Sequence, residues 1–230
     1  MSGLGPAEWA AIFLSLKVAI VATVCAMPLA LWVAFVLSRR RFRGQWLLNG
    51  LVHLPLVLPP VVTGFFLLVM FGNNGWIGRI LFDLFGITLA FRWTGAALAA
   101  AIMAFPLMVR SLRQGFDAVD PEVEVAASTL GAGRLRVMCA VTLPLMWPSL
   151  LAAAVMGFAK ALGEFGATIT FVAAIPGQTQ TIPSAIYALL QVPGQEPAIL
   201  GLVGVSVVLA LGALILSEWL TARALRGRDD

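Results

Sequence analysis

Five stretches of this chain, residues 9–37, 54–71, 93–109, 145–166 and 197–220, are apolar for about as long as a bilayer crossing requires. A spanning helix needs about 20 mostly apolar residues. Inside hydrocarbon every backbone N–H and C=O must find a partner within the protein, which leaves helices as the form these stretches can take. The composition agrees: 60% of the residues are hydrophobic and 11% charged, with mean hydropathy +0.97. Soluble domains run near about 45–50% apolar and about 25% charged. The expectation is an all-α integral membrane protein of about five transmembrane helices, folded as a single transmembrane domain over residues 1–230. A further apolar stretch, 167–174, is too short to span and is followed by PGQTQTIP, so it is expected as a re-entrant segment or an external loop.

The cations set the orientation. Arg39, Arg40, Arg41 and Arg43 follow the first stretch, Arg110, Arg113, Arg134 and Arg136 the third, and Arg223, Arg226 and Arg228 the fifth. Only Arg79 and Arg92 fall on the other side, so the bias is eleven to two. Lys and Arg collect on the cytoplasmic face, which puts the N-terminus outside and the C-terminus in the cytoplasm. The same placement explains the pI near 9.8 without nucleic acid, because the basic residues sit at span ends rather than along one face. The segment 73–92, with its IGRILFDLFGI core, is then expected outside as an interfacial helix. The seven tryptophans fall mostly near span ends, as an interfacial belt requires. The N-terminal residues show no basic n-region and no A-x-A site, so no cleaved signal peptide is expected. Cys25 lies in the first stretch and Cys139 in a polar segment, so no disulfide is expected; with His53 the only histidine, no metal or redox centre is expected either.

That polar segment, residues 120–144, reads DPEVEVAASTLGAGRLRVMCAVTLP and interrupts the apolar pattern on the cytoplasmic side. Asp120, Pro121 and Glu122 start a helix: a capping carboxylate, a proline in the first turn, and acids (Glu122, Glu124) at the positive end of the helix dipole. Ala126 and Ala127 give it a narrow surface and Gly131 turns the chain into a second helix carrying Arg134 and Arg136. Leu143 and Pro144 deliver the chain to the fourth stretch. Two physical readings stand side by side: a knob that seats in another protein's groove, or an amphipathic helix lying on lipid phosphates.

The spacing is recognisable. Ala126 and Ala127, three residues, Gly131, nine residues, then Val141, Leu143 and Pro144 resemble the EAA loop of permease subunits of bacterial ATP-binding-cassette importers. The acid departs from the pattern: Val125 stands at its place and Glu124 comes one residue earlier, which rotates the carboxylate by about 100° on a helix. HLPLVLPPVVTGFFLL, RWTGAALAAAIMAFPLMVRSLR, ALGEFGATITFVAAIPGQTQTIPSAIY and SEWL are similar to the molybdate permease family. The resemblance covers nearly all of the chain from residue 54 onward. It implies the type I importer permease fold in a bacterial inner membrane and a homodimer of this chain. Two copies of an ATPase subunit would dock on the loop 120–144, and a periplasmic binding protein would deliver molybdate. ATP and Mg would be held by the ATPase partner, whose cycle switches the dimer between outward- and inward-facing states. The chain itself has no G-x-x-x-x-G-K-[ST] loop, so no cofactor and no catalysis of its own are expected. Glu122, Glu124, Ala126, Ala127, Gly131, Arg134, Leu143 and Pro144 are its coupling-loop residues.

The candidate translocation pathway comes from two patterns. Pro28, Pro55, Pro59, Pro60, Pro106 and Pro148 each remove a backbone hydrogen bond and are expected to bend or break a span. LPLVLPP concentrates three of them, and interrupted helices line transport sites, so Pro59 and Pro60 are candidates. Lys17, Lys160, Glu164 and Glu218 lie in or at the edges of apolar stretches, where a charge needs a partner, water or a function. Lys17 is expected to snorkel to the outer interface, and His53 to act as a cap or interface residue. Lys160 and Glu164, four apart, can pair on one helix face. Either the pair solves its own burial problem, or Lys160 lies on the anion pathway with Gly163, Gly166, Thr168 and Thr170 offering close backbone approach and hydroxyl donors. Sulfate, thiosulfate or tungstate permeases are the alternatives in this class. A stand-alone secondary transporter would show two repeated halves, and an intramembrane enzyme a convergent catalytic set. Neither pattern is present in the sequence.

Overall fold

The computed structural model describes residues 4–226, with side chains given outside 217 and 221–226, and every regular element among them is helical. Three helices are long and apolar enough to cross a membrane unaided: α1 (Pro6–Arg39), α5 (Trp93–Ala118) and α12 (Glu196–Arg226, described as a span over Glu196–Leu220). Two further crossings arise from bent pairs. α2 (Gln45–Val57) and α3 (Pro60–Phe71) meet at 111°. The segment Arg134–Leu145 and the helix that begins at Trp147 meet at 71°. Counting each bent pair once gives five spans.

Alanine dictates how these helices meet. Ala19, Ala22, Ala26, Ala30 and Ala34 of α1 and Ala96, Ala99, Ala100 and Ala104 of α5 are buried. Lipid is as apolar as leucine, so helices associate in a membrane by close van der Waals approach, which small side chains permit. α9 (Trp147–Leu162) completes this central group. At Gly115 an added Cβ would stand 2.5 Å from the Ser149 Cβ, and at Gly157 2.7 Å from the Met108 sulfur. α12 packs on α9 and on α11 (Ile182–Leu189) but leaves most of its length exposed, with Leu200, Val208, Leu211, Ile215 and Trp219 facing outward. A water-soluble protein would not leave such a stripe uncovered.

The remaining elements are short. α4 (Trp76–Phe85) is a helix within the segment 73–92, with Trp76, Ile80, Phe82, Leu84 and Phe85 exposed and Gly86 ending it in the left-handed region. The polar insert forms α6 (Pro121–Thr129), α7 (Arg134–Val137), a π-turn (Met138–Thr142) and α8 (Leu143–Leu145). α10 (Gly166–Val172) is the short apolar stretch 167–174; Ala167, Thr168, Phe171 and Val172 are buried where it packs on α3 and α5. Ser15 of α1 accepts the Ile182 N–H at 2.7 Å, joining the first span to α11.

The structure corrects several sequence expectations. The second span starts at Gln45, well before residue 54, because Asn49 and His53 are tolerated within α2; the His53 ring nitrogen bonds the Asn49 carbonyl of its own helix at 2.8 Å rather than capping an end. Helix α1 runs through Pro28, α2 through Pro55 and α5 through Pro106. The second span breaks instead where Pro59 and Pro60 follow one another, because the residue before a proline is driven out of the helical region and Pro59 occupies that place. Pro148 sits in the first turn of α9, where its missing N–H costs nothing; the bend lies just before, at Met146.

Candidate functional site

The insert is built as its sequence dictates. Asp120 accepts the Glu122 N–H at 2.9 Å and caps α6, with Pro121 in the first turn. Gly131 has φ +90, a left-handed backbone that L side chains rarely adopt, and its Cβ direction meets nothing within 4 Å. The turn there depends on glycine's conformational freedom and not on space. The Ala132 N–H returns to the Ala127 carbonyl at 3.2 Å, closing α6 before the chain enters α7. Glu122, Ala126 and Arg134 face outward, while Ala127 and Leu143 are half-buried. Pro144 is exposed beside Leu143. No residue of α6 is buried, and Val125, Leu130 and Leu135 are 62%, 89% and 79% exposed. Leucines so placed on a charged, polar segment form an apolar knob with no cover within this chain.

Glu124 behaves differently from its neighbours. Its carboxylate accepts the Arg39 Nη2 at 3.0 Å and the Thr142 hydroxyl at 2.8 Å. The one-residue displacement from the expected acid position therefore turns it inward, toward the end of α1 and the π-turn. Neither partner stood among the candidate residues. Arg39 had been one of several cations in a run, and Thr142 an unremarked position before the Leu-Pro pair.

Of the pathway candidates, the structure brings Pro60, Gly166 and Thr170 to the crossing of α3 and α10, with Thr168 buried in α10 and Glu164 just ahead of it. An added Cβ on Gly166 would stand 2.7 Å from the Pro60 Cβ, and one on Gly64 2.5 Å from the Ala167 carbonyl oxygen. Glu164 is 3% exposed; its Oε2 accepts the Lys160 Nζ at 3.1 Å and its Oε1 the Ala167 N–H at 3.0 Å. The carboxylate thus links the end of α9 to the start of α10. Thr168 donates to the Phe165 carbonyl at 2.9 Å and Thr170 to the Gly166 carbonyl at 2.9 Å, so both hydroxyl protons are committed to their own helix. Gly163 closes α9 and has only the Ala159 carbonyl near its Cβ direction, at 3.6 Å. Pro59 stands at the break itself. The exposed Lys17 places its Nζ 3.6 Å from the centroid of the Trp93 ring, a cation–π contact between α1 and α5. Glu218 is exposed on α12. Among the described residues no group of His, Cys, Asp or Glu is arranged to hold a metal ion.

A chain of apolar spans, two of them broken, with a polar helical knob at one end of the central group, is the architecture of an importer permease. The chain belongs to the binding-protein-dependent transport system inner membrane component family, which matches residues 26–226. It is 53% identical over 221 residues to the molybdenum transport system permease protein ModB of Escherichia coli K12, covering 96% of both chains. A more distant relative is the sulfate transport system permease protein CysT of Salmonella typhimurium, 36% identical over 97% of this chain and 79% of the relative. Among solved structures it resembles the MetNI methionine ABC transporter in its inward-facing form, with TM-score 0.69, 12% identity and 94% of each chain covered. At that identity the likeness speaks for the fold.

Proposed function

We propose that this chain is the membrane-spanning subunit of an ATP-driven molybdate importer in a bacterial inner membrane. It works as a homodimer beneath a periplasmic binding protein and above two ATPase subunits. The observation that carries the coupling half of this reading is the uncovered knob formed by Val125, Leu130 and Leu135 on a capped two-helix insert. The cargo is supported by the 53% identity to a molybdenum permease against 36% for a sulfate permease.

In this reading ATP-driven closure of the two ATPase subunits displaces the two insert knobs, and the central helices of each protomer follow. The chain supplies a path, a hinge and a docking surface, and ATP with its Mg is bound by the partner. The broken spans give the hinge its physical basis, since the bends at Pro59–Pro60 and at Met146 have no continuous hydrogen-bond ladder to resist rotation. The candidate residues at the α3–α10 crossing line the route of the oxyanion. Lys160, 31% exposed, pairs with the buried Glu164 just ahead of α10.

The test is copurification. A candidate ATPase subunit from the same organism, coexpressed with this chain, is expected to elute with it in detergent. Leu130→Asp with Leu135→Asp is expected to abolish that association while the chain still folds. Full retention of the ATPase on the double variant would reject docking at the knob.

A further inference from the structure

We infer that Arg39 is a positioning residue for coupling: through Glu124 and Thr142 it ties the insert to the first span and to the π-turn that leads into the fourth. The inference rests on the importer reading above.

Burial cannot hold α6 where it is. Its nine residues include none that is buried, and a helix that short is marginal in water without tertiary support. A cavity of about 620 Å³ opens between it and the ends of α1 and α7, lined by Phe35, Arg39, Ser128, Arg134 and Met138 among others. What crosses that gap is the Glu124 carboxylate. It accepts the Arg39 guanidinium at 3.0 Å, 85 residues earlier in the chain, and the Thr142 hydroxyl at 2.8 Å, 18 residues later. Arg39 also donates to the Val119 carbonyl at 3.3 Å, fixing the linker that enters α6. Arg39 and Glu124 are 20% and 24% exposed, so the pair is shielded well beyond a surface ion pair.

The other end of the link is a π-turn. Such turns are rare and frequently lie at functional positions. Thr142 closes this one and is 1% exposed. Any push on α6 therefore reaches α1 through Arg39 and the fourth span through Thr142, without passing along the exposed turn at Gly131. The Arg39 Nε is buried with no partner, so a small advance of α6 brings a second donor to the same carboxylate, the two-pronged geometry arginine favours. The link can thus tighten without breaking.

The experiment uses the full complex in proteoliposomes with ATPase subunits and binding protein, and reads molybdate taken up per ATP hydrolysed. Arg39→Gln keeps much of the side chain's length and removes the charge; Thr142→Val keeps the shape and removes the hydroxyl. Each is expected to lower that ratio about fivefold or more, the scale of a coupling energy between sites. The exchange Arg39→Glu with Glu124→Arg is expected to recover a substantial part of it. An unchanged ratio in both single variants overturns the inference, and so does a loss that the exchange leaves uncorrected while the chain melts as wild type. Failure of the importer reading itself would look different: the wild-type complex would show no coupled uptake at all.

Discussion

Gly64→Ala is expected to loosen the protein more than any other alanine substitution of a helical glycine in the broken spans. A Cβ built there stands 2.5 Å from the Ala167 oxygen, 2.9 Å from the Ala167 Cα and 2.9 Å from the Thr170 Cβ. Two of these three are backbone atoms, which do not swing aside as a side chain does. Ordinary carbon contacts lie at about 3.5–4.0 Å, so α3 and α10 would have to part by roughly 1 Å. Overpacking of this kind costs about 1–3 kcal/mol, and with a backbone obstacle the upper end applies. Alanine returns at most about 1 kcal/mol through its better helix propensity. The net loss is about 2 kcal/mol, or about thirtyfold in the folding equilibrium. Thermal unfolding of the purified chain in one detergent measures it, with Gly212→Ala as the control. Gly212 lies in α12 with nothing within 4 Å of its Cβ direction, so its variant should melt at or slightly above wild type. Because α10 follows directly on Glu164, Gly64→Ala should also slow uptake. If it melts as high as Gly212→Ala, the tight α3–α10 crossing is refuted.

Gly131→Val forces a β-branched residue into φ +90, at about 1–3 kcal/mol of local strain, with no clash to relieve. Uptake per ATP should fall severalfold while the melting temperature drops by only about 2–4 °C per kcal/mol of that strain, and unchanged uptake per ATP at the lowered melting temperature would contradict a role for the turn in coupling; a bulky residue at Ala127 should act in the same direction. Lys160→Met leaves the Glu164 carboxylate, 3% exposed, without its cation. Breaking a buried pair costs about 3–5 kcal/mol, and the partial exposure of Lys160 places this case near the lower end. Lys160→Met with Glu164→Gln should recover most of the lost stability if the pair chiefly solves its own burial. Recovery of stability without recovery of uptake would instead put the Lys160 charge on the anion route.

Much of this was written locally in the chain. The spans follow from run length and the insert from Asp120-Pro121-Glu122 and Gly131, whereas the short apolar stretch 167–174, expected as a re-entrant segment or an external loop, is the packed helix α10. These are near-neighbour properties, set by hydropathy, caps and backbone freedom. What the sequence did not disclose depends on atoms far apart. Nothing near Glu124 indicates that its carboxylate meets Arg39, 85 residues away, because a run of arginines after a span reads first as a topology signal. The prolines misled in one direction: Pro28 and Pro106 sit inside helices that stay continuous. The close approaches of Gly64 to Ala167 and of Gly166 to Pro60 became visible only when the broken second span folded against α10. Thr168 and Thr170 looked like free donors for an anion until their helix supplied carbonyls to satisfy them.

This chain is expected to carry molybdate inward at the expense of ATP hydrolysed by a partner. Proteoliposomes containing the chain and its ATPase subunit, loaded with Mg and ATP and supplied outside with the binding protein, test it directly by uptake of labelled molybdate. Uptake is expected to require all three proteins and ATP, to be competed by tungstate, and to be little affected by sulfate. Uptake by the chain alone, independent of ATP, or preferential uptake of sulfate under the same conditions, would contradict it.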